Sequence, residues 1–334
     1  MKALALKSAG HAGVVDIPEP VPSPGDLLLK PAYVGLCGSD LNSFRGRNPL
    51  VSYPRVLGHE VAATVVEGSA AIPAGAHVTF SPYTACGVCS ACRNGRSNAC
   101  RNNRTMGVQR DGALAEWVAV PEEKVYPSSL PLRELCLTEP LTVGFHAAAR
   151  GRVTAKDTVV VLGCGGVGLG AIAGAAFRGA RVIAADVDDA KLDVARKSGA
   201  QETLNTRSGD TVRALADLTA GEGPDVVIEA IGLPATFQLA VEAVAFTGRV
   251  VYIGYAKEPV TYETRFFVQK ELDILGSRNA QSADFRDVIA MLESGRFPVN
   301  EAISATFDFE DAPEALQTWS ENPTGFTKIL IQLS

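Results

Sequence analysis

The sequence lacks an excess of positive charge. Its 31 lysines and arginines are outnumbered by 37 aspartates and glutamates, which gives a formal net charge of −6. No run of lysine and arginine is present that could neutralise the phosphates of a nucleic acid. The composition therefore argues against a nucleic-acid partner, and a small-molecule substrate is the more reasonable expectation.

The sequence also lacks a hydrophobic run typical of a membrane anchor. Its first seven residues, Met-Lys-Ala-Leu-Ala-Leu-Lys, contain no apolar core of a leader peptide and predict a strand. One uncharged stretch, residues 159–177, is long enough to span a bilayer but contains six glycines. A strand, a tight turn and a helix explain it better. We therefore expect a cytoplasmic protein that does not insert into membranes.

Length and local patterns predict two domains in the 334 residues. Residues 1–140 are rich in proline, glycine and short alternating runs, which predicts an irregular β-rich domain. In residues 141–277 strand and helix patterns alternate, as in a parallel sheet covered by helices. Residues 278–334 are predicted to form two helices and a closing strand. The predicted elements of the alternating segment are strands at 159–162, 181–185, 225–229 and 249–254 and helices at 166–178, 188–198, 211–218 and 234–246.

Four cysteines lie close together in the pattern Cys-x2-Cys-x2-Cys-x7-Cys. The glycines and asparagine within this stretch exclude a regular helix or strand. Closely spaced cysteines on tight turns can supply four thiolates to one tetrahedral Zn²⁺ ion. Disulfides or thiols without a metal are the alternative, but the chain shows no secretory signature and a reducing cytoplasm disfavours disulfides. We predict a lobe, residues 86–100, that holds a structural zinc. Its ligands would be Cys86, Cys89, Cys92 and Cys100.

A glycine-rich turn, Gly-Cys-Gly-Gly-Val-Gly, follows the first strand of the alternating segment and opens its helix. Such a turn can hold a diphosphate at the helix N-terminus. Asp186 ends the next strand, 18 residues after the last glycine, where a carboxylate can bind an adenosine ribose. That carboxylate would repel a 2′-phosphate and Val187 offers no positive charge, so NAD is favoured over NADP. An ordinary glycine turn beside an exposed aspartate is the alternative. The predicted cofactor contacts in the turn are Gly163, Gly165, Gly166, Val167 and Gly168.

Three further residues that can bind zinc lie in separate segments. Cys37, His59 and Glu139 would supply a thiolate, an imidazole and a carboxylate. A catalytic zinc needs three protein ligands and one open position, which this set would provide. Each residue has another explanation, since the cysteine could be a small buried apolar residue, the histidine a core residue and the glutamate a carboxylate at the start of a helix.

Taken together and in order, these segments resemble the zinc-dependent medium-chain dehydrogenases, the family of alcohol, polyol and threonine dehydrogenases. The resemblance covers the whole chain, from Cys-Gly-Ser-Asp and Gly-His-Glu through the cysteine lobe, Glu-Pro-Leu and the glycine-rich turn to the closing strand. It implies a GroES-like β-rich catalytic domain, which the C-terminal residues complete. It further implies a Rossmann domain with a doubly wound parallel sheet, and an active site in the cleft between the two domains.

The resemblance also implies roles for individual residues. Ser39 would pass on the proton of the substrate hydroxyl, Asp40 would be a carboxylate close to the metal, and Lys191 would contact the ribose of NAD. Asn42 stands where many relatives have a histidine that hands the proton to solvent. The ligands of the catalytic zinc would be Cys37, His59 and one of the two candidate catalytic carboxylates, Glu60 or Glu139.

We therefore expect a zinc- and NAD-dependent dehydrogenase that removes a hydride from a secondary alcohol, with two zinc ions per chain. Glutamate at position 139 is similar to the polyol, sugar and threonine dehydrogenases, and residues 44–59 and 276–280 are most similar to the bacterial galactonate and idonate dehydrogenases. A polyol or sugar acid is the expected substrate. An amino-alcohol dehydrogenase of the L-threonine 3-dehydrogenase type is one alternative.

An NAD-binding structural or sensor protein without catalysis is the other alternative, and the retained zinc ligands argue against it. Relatives commonly form dimers or tetramers through an edge strand, so we expect a homo-oligomer paired near residues 272–276. Four arginines could meet a substrate carboxylate or could equally be solvated surface residues. They are Arg45, Arg47, Arg110 and Arg278.

Overall fold

The computed structural model describes residues 1–207 and 209–333. These residues form two compact units. The first unit consists of residues 1–139, 281–293 and 299–333, so three separate parts of the chain build it. The second unit consists of the described residues of 140–280 together with 294–298.

Sixteen strands are numbered in chain order among the described residues. They are β1 (Lys2–Ser8), β2 (His11–Asp16), β3 (Asp26–Leu36), β4 (Arg55–Val56), β5 (Glu60–Val65), β6 (His77–Phe80), β7 (Val118–Pro121), β8 (Val125–Pro127), β9 (Thr158–Leu162), β10 (Arg181–Asp186), β11 (Glu202–Asn205), β12 (Val226–Glu229), β13 (Arg249–Tyr252), β14 (Asp273–Gly276), β15 (Ala305–Asp308) and β16 (Ile329–Gln332).

Twelve α-helices are numbered in the same way within the described ranges. They are α1 (Gly38–Phe44), α2 (Ser90–Arg93), α3 (Leu132–Leu135), α4 (Thr138–Arg150), α5 (Gly166–Phe177), α6 (Asp189–Lys197), α7 (Thr211–Leu218), α8 (Pro234–Ala243), α9 (Arg265–Gln269), α10 (Ser282–Glu293), α11 (Val299–Ala302) and α12 (Ala312–Glu321). Single 3-10 turns occur at Ser97–Ala99, Glu122–Lys124 and Phe309–Asp311.

The first unit is built around a seven-stranded sheet in the order β15-β16-β3-β5-β6-β8, with β7 also paired to β3. All of its pairs are antiparallel except β15 with β16. A smaller antiparallel sheet has the order β2-β1-β4. The long strand β3 is central because its alternating apolar residues, such as Leu29 and Val34, are fully buried in the core of this unit.

The second unit contains a six-stranded parallel sheet in the order β11-β10-β9-β12-β13-β14. Its central strands are continuous runs of valine and isoleucine that are buried on both faces, as expected for a parallel sheet covered by helices. Because β10 and β12 flank β9 on opposite sides, the strand order reverses at β9. In open parallel sheets a ligand binds at the carboxyl ends of the strands at this point. The predicted fold class is therefore confirmed.

Some predicted elements differ in extent from the structure. The helix expected to reach residue 246 ends at Ala243, because Val244 is extended and Thr247 has a left-handed φ of 58°. The strand β11 was not predicted, since its sequence Glu-Thr-Leu-Asn lacks an apolar run. The cysteine lobe, which was expected to contain no regular helix, includes one helical turn, α2.

The uncharged stretch 159–177 folds as the strand β9, a turn and the helix α5, as predicted. Among residues 1–207 and 209–333, no helix combines the length and the apolar character needed to cross a bilayer.

Candidate active site

Strand register in the first unit brings separate segments of the sequence together. Gly35, near the end of β3, pairs with Glu60 at the start of β5. The antiparallel direction therefore sets Cys37, just after β3, close to His59, just before β5. Gly35 has to be a glycine, because a Cβ atom there would lie 2.1 Å from the carboxylate oxygen Oε2 of Glu60.

The closing strand completes this arrangement from the other side of β3. Ile329 of β16 pairs with Leu36 of β3, so Lys328 lies beside the chain that leads to Cys37. The Lys328 ammonium donates to the main-chain oxygen of Leu36 at 3.2 Å and to both oxygens of Glu60. Both side chains of this ion pair are buried.

Three of the predicted ligands form one group in the described chain. Single ligand atoms of Cys37, His59 and Glu60 lie within 4.8 Å of one another. Cys37 caps the helix α1, and its backbone N–H donates to Oδ2 of Asp40 at 2.8 Å. The other oxygen of Asp40, Oδ1, lies 4.0 Å from Nδ1 of His59. Asp40 therefore supports both the cysteine and the histidine from behind, as carboxylates often support metal ligands.

Several polar atoms in this place have no hydrogen-bond partner in the described part of the chain. The buried unpartnered atoms include Oγ of Ser39, Oδ1 of Asp40 and Nδ1 of His59. Such atoms are rare in folded proteins, because burial without a partner is costly. Two of them, Oδ1 of Asp40 and Nδ1 of His59, lie 4.0 Å apart, which indicates that a bound group completes the site.

The electrostatics of the site point to a cation. Burial lowers the pKa of His59, but the charges of Asp40 and Cys37 outweigh burial, and the pKa of the imidazole is well above its ordinary value. Burial raises the pKa of Asp40, an effect that His59 partly offsets. The folded chain thus concentrates negative charge around His59. Thiolate, imidazole and carboxylate are the ligand types that Zn²⁺ takes, so the residues present fit this ion.

Glu139 lies in the first turn of α4 and is not a member of the group of three ligands. Burial, followed by the charge of Glu60, raises its pKa to about 7, although His59 acts in the opposite direction. The hydroxyl of Tyr83 donates to Oε1 of Glu139. Glu139 is therefore a buried carboxylate close enough to act on His59 electrostatically.

The cysteine lobe brings all four of its predicted ligands together. Its four sulfur atoms lie within 4.8 Å of one another, and no disulfide joins them. The Sγ–Sγ distances from Cys89 to Cys92, from Cys89 to Cys100 and from Cys100 to Cys86 are 3.5, 3.8 and 3.6 Å. A tetrahedral zinc with bonds of about 2.3 Å requires sulfur atoms about 3.8 Å apart. The lobe thus has the spacing of a four-thiolate zinc site.

Backbone amides around the lobe favour the thiolate form of Cys86 and Cys89, whereas burial raises the pKa of Cys92 to about 11. The N–H groups of Cys92 and Arg101 lower the pKa of Cys89 to about 6. The N–H groups of Val88 and Cys89 lower the pKa of Cys86. Hydrogen bonds to a charged sulfur stabilise it, and zinc binds thiolates rather than thiols.

In the second unit, the glycine-rich turn occupies the carboxyl end of β9. Gly163 has a left-handed φ of 95°, which a residue with a side chain rarely adopts. A Cβ atom at Gly168 would lie 1.8 Å from the main-chain oxygen of Gly163, so the helix α5 packs tightly on the turn. Gly165 caps α5 and faces open space, since a Cβ atom added there would have no neighbour within 4 Å. The turn, with Gly166 and Val167 as the first residues of α5, has the shape and polarity for a diphosphate.

Asp186 is the last residue of β10 and is largely buried. Its Oδ2 accepts from the backbone N–H of Cys164 at 2.7 Å, and its Oδ1 accepts from that of Asp188 at 3.1 Å. These bonds fix the carboxylate beside the glycine-rich turn. Lys191 lies in the first turn of the helix α6. It is close enough to the glycine-rich turn for its positive charge to lower the pKa of Cys164, which burial raises. The residues of the turn, Asp186 and Lys191 together fit a dinucleotide.

Two residues of the site escaped sequence analysis. Lys328 directly precedes the apolar run Ile-Leu-Ile of the closing strand. A lysine beside such a run is the sequence signal of its role, since a lysine is rarely buried without a partner. Tyr83 follows a strand in a segment, Ser-Pro-Tyr, that carries no recognisable motif. Both act by contact with a glutamate distant in sequence, which local patterns do not reveal.

Comparison with known proteins agrees with this construction. Residues 166–294 match the family described as zinc-binding dehydrogenase, and residues 23–131 match the alcohol dehydrogenase GroES-like domain. An uncharacterised zinc-type alcohol dehydrogenase-like protein of Haemophilus influenzae is 32% identical, and the similarity covers 98% of each chain. L-galactonate-5-dehydrogenase of Escherichia coli is 31% identical over 89% of each chain.

A solved structure shows the same fold. The alcohol dehydrogenase RspB of Escherichia coli CFT073, determined with NADH, superposes with a TM-score of 0.90 at 28% identity and covers 100% of this chain and 99% of that one. The predicted medium-chain dehydrogenase family is confirmed by these matches. This chain belongs to the zinc-dependent alcohol dehydrogenases with a GroES-like domain, oxidoreductases that act on alcohols with zinc and a nicotinamide dinucleotide.

Proposed function

We propose that this protein oxidises a secondary alcohol of a polyol or sugar acid and transfers the hydride to NAD. The observation that carries the proposal is the group of Cys37, His59 and Glu60, of which the last two are buried, together with the unpartnered hydroxyl of Ser39 two residues after Cys37. Three zinc-binding side chains, with the hydroxyl of Ser39 two residues from one of them, suit the deprotonation of an alcohol. The similarity to L-galactonate-5-dehydrogenase supports a sugar acid as the substrate.

We assign Cys37, His59 and Glu60 as ligands of the catalytic zinc, since their ligand atoms already lie together. Lys328 offsets the negative charge of Glu60, with which it is paired. Glu139 is the alternative third ligand. Measuring the zinc content of Glu60→Gln and Glu139→Gln separates the two assignments, because only the ligand variant should lose the catalytic ion.

When bound, zinc supplies the Lewis acidity that makes an alcohol hydroxyl more acidic, and NAD supplies the hydride acceptor. The chain supplies the other functions. Asp40 holds the thiolate side of the site through the N–H of Cys37 and faces the imidazole of His59. Ser39 would take the proton of the substrate hydroxyl while its own hydroxyl proton passes on to water, so that the serine stays neutral. Asn42, three residues later on the same helix, is exposed, so Ser39 can pass the proton to water near it.

The residue at the end of β10, Asp186, decides between NAD and NADP. The fixed carboxylate of Asp186 can accept hydrogen bonds from the two hydroxyls of the adenosine ribose, whereas a 2′-phosphate there would be repelled. Val187, the next residue, is half exposed and offers no cation to a phosphate. We therefore propose NAD rather than NADP as the working cofactor.

The test is an assay of the zinc-loaded protein with NAD and a panel of uncharged polyols, aldonates, polyol phosphates and L-threonine. Turnover of a polyol or an aldonate above all others would support the proposal. Preferential turnover of L-threonine would favour the amino-alcohol alternative. No turnover by a protein that binds both NADH and two zinc ions would favour the alternative without catalysis.

A further inference from the structure

Three basic side chains of the first unit meet around residues 82 and 83, and we call them the basic cluster: Arg104, Arg110 and Lys124. Lys124 donates from Nζ to the main-chain oxygen of Tyr83 at 2.5 Å. Arg110 donates from Nη2 to the main-chain oxygen of Pro82 at 3.2 Å and from Nε to that of Arg104 at 3.3 Å. The Arg104 side chain donates from Nη2 to the main-chain oxygen of Gln109, the residue before Arg110, at 3.1 Å. Arg110 and Lys124 thus bind neighbouring carbonyl groups, and Arg104 is held beside Arg110.

The basic cluster carries positive charge that the protein does not balance. None of its three members forms an ion pair with a carboxylate within residues 1–207 and 209–333. The acidic neighbour of Arg110 in sequence, Asp111, is paired with Arg55 at 2.7 Å. Glu123, next to Lys124, affects that lysine only through its field.

Partial burial makes this arrangement costly. Burial lowers the pKa of Arg110, and the charge of Arg104 lowers it further. Burial lowers the pKa of Lys124 too, and the charge of Arg110 adds to the effect, against Glu123. Like charges held together in a half-buried place are relieved when an anion binds between them.

The four candidate arginines of the sequence differ in this respect. Arg45 donates both to the side chain and to the main-chain oxygen of Ser320, so it ties α1 to α12. Arg47 is exposed. Unlike Arg45 and Arg47, Arg110 donates to a carbonyl group next to the one that accepts from a second cation, Lys124.

Tyr83 connects the basic cluster to the candidate active site. Its main-chain oxygen accepts from Lys124, while its buried hydroxyl donates to Glu139. A single tyrosine therefore contacts the cluster through its main-chain oxygen and a carboxylate of the site through its hydroxyl.

We propose that the basic cluster binds the anionic end of the substrate, a carboxylate or a phosphate, while a hydroxyl of the same molecule reacts at the site. This assignment rests on the proposed function and narrows the substrate to an acidic sugar derivative. A guanidinium can bind either group through two parallel hydrogen bonds, and Lys124 adds a point charge. An uncharged polyol would gain nothing from these residues.

The experiment compares Arg110→Gln with the wild-type holoenzyme on the best aldonate, the best polyol phosphate and the best uncharged polyol of the panel. Loss of one charged hydrogen-bonded contact should raise KM for the anionic substrate about tenfold or more. KM for the uncharged polyol should not change. If KM rises more for the aldonate, the bound group is a carboxylate. If KM rises more for the polyol phosphate, the bound group is a phosphate.

Controls separate binding from folding. Arg47→Gln removes the same charge from another exposed candidate arginine and should leave all KM values unchanged. Arg104→Gln, at an exposed position of the cluster, should raise KM for the anion in the same direction with less effect on the fold. The melting temperature of each variant shows whether it is folded. The proposal would be overturned if KM changed equally for charged and uncharged substrates. It would also be overturned if KM for the anionic substrate changed in neither Arg110→Gln nor Arg104→Gln.

A binding measurement keeps this result independent of the proposed function. Sodium gluconate or inorganic phosphate should raise the melting temperature of the wild-type holoenzyme, and this shift should be reduced in Arg110→Gln. If the wild type turns over only uncharged alcohols and shows no shift with either anion, the basic cluster is not an anion site although the dehydrogenase function stands. If no alcohol is turned over but the shift depends on Arg110, the proposed function fails and the anion site remains.

Discussion

The ammonium nitrogen of Lys328 lies 2.6 and 2.5 Å from the two carboxylate oxygens of Glu60, and the two residues are 268 positions apart. Burial lowers the pKa of Lys328, but the surrounding negative charges, of which Glu60 is the strongest, together outweigh burial and raise the pKa above its ordinary value. The ammonium form of Lys328 is therefore favoured in the folded protein. The pair joins the closing strand to the segment that carries His59.

In protein whose catalytic zinc site is empty, Lys328→Met should destabilise the first unit, because it leaves the carboxylate of Glu60 buried without a partner. Removing one member of a buried ion pair costs about 3 to 5 kcal/mol. Chemical denaturation of the variant measures this change. Lys328→Met combined with Glu60→Gln should recover part of the loss, since no unpaired charge remains. Equal stability of wild type and Lys328→Met would show that Glu60 finds another partner.

The two zinc sites should respond differently to loss of one cysteine. Cys100→Ser removes a ligand of the lobe, where a structural zinc contributes on the order of 10 kcal/mol of apparent binding energy, so the protein should unfold far more easily. Cys37→Ser should keep the fold and lose activity. Metal analysis should give two zinc ions for the wild type and one for Cys37→Ser. A single zinc in carefully prepared wild-type protein would contradict this prediction.

The preference for NAD over NADP should depend on the residues at the end of β10. Asp186→Ser with Val187→Arg removes the repelling carboxylate and adds a cation for the 2′-phosphate of NADP. A charged hydrogen bond of this kind should shift the ratio of kcat/KM for NADP to that for NAD by about tenfold or more. Val187→Arg alone is the control for the added charge. Higher activity of the wild type with NADP than with NAD would refute the role of Asp186.

Proton release offers a test at Asn42. A carboxamide cannot take up a proton near neutral pH, whereas histidine titrates with a pKa of about 6.5. In Asn42→His, neutral histidine would accept the proton and protonated histidine would not, so kcat for alcohol oxidation should rise with pH through about 6.5. The wild type should lack this limb. Measuring kcat against pH, with a solvent isotope effect, tests the idea, and identical profiles would place residue 42 outside the proton path.

Assembly can be tested at the edge of the parallel sheet. The strand β14 is the outer strand of that sheet, and Ile274 on it and Val268 on α9 are exposed apolar side chains. An unpaired apolar edge favours pairing with a second copy across a two-fold axis. We expect a dimer or larger homo-oligomer by light scattering and a smaller species for Ile274→Lys. A monomeric wild type at micromolar concentration would contradict the prediction.

The sequence was sufficient where function requires a local pattern. In the cysteine lobe and the glycine-rich turn, the residues that meet in space are also close in sequence. The position of Asp186 at the end of the next strand follows from the same local pattern, so the arrangement of each could be predicted. The helix α4 could not, because Pro140 and Gly144 interrupt its pattern. Pro140 lies in the first turn, where a missing N–H costs nothing. Gly144 permits close packing of two helices, because a Cβ atom there would lie 2.0 Å from the backbone nitrogen of Ala171.

The interactions that the sequence did not reveal depend on strand register. Lys328 meets Glu60 because Ile329 pairs with Leu36, and no pattern near residue 328 specifies that partner. The same holds for the contact of Tyr83 with Glu139. Register over long separations is set by the packing of the whole sheet, which a local window of sequence does not contain.

The position of β16 between β15 and β3 has a consequence for the order of events during protein synthesis. All strands of the parallel sheet lie before residue 277, so the second unit has its complete sheet while the ribosome is still translating the tail. The first unit, although it begins at the N-terminal residues, lacks β15 and β16 until residue 332 has left the exit tunnel. Its early strands must wait with an open edge beside β3, which is the stage at which a nascent chain is most exposed to aggregation and to chaperones.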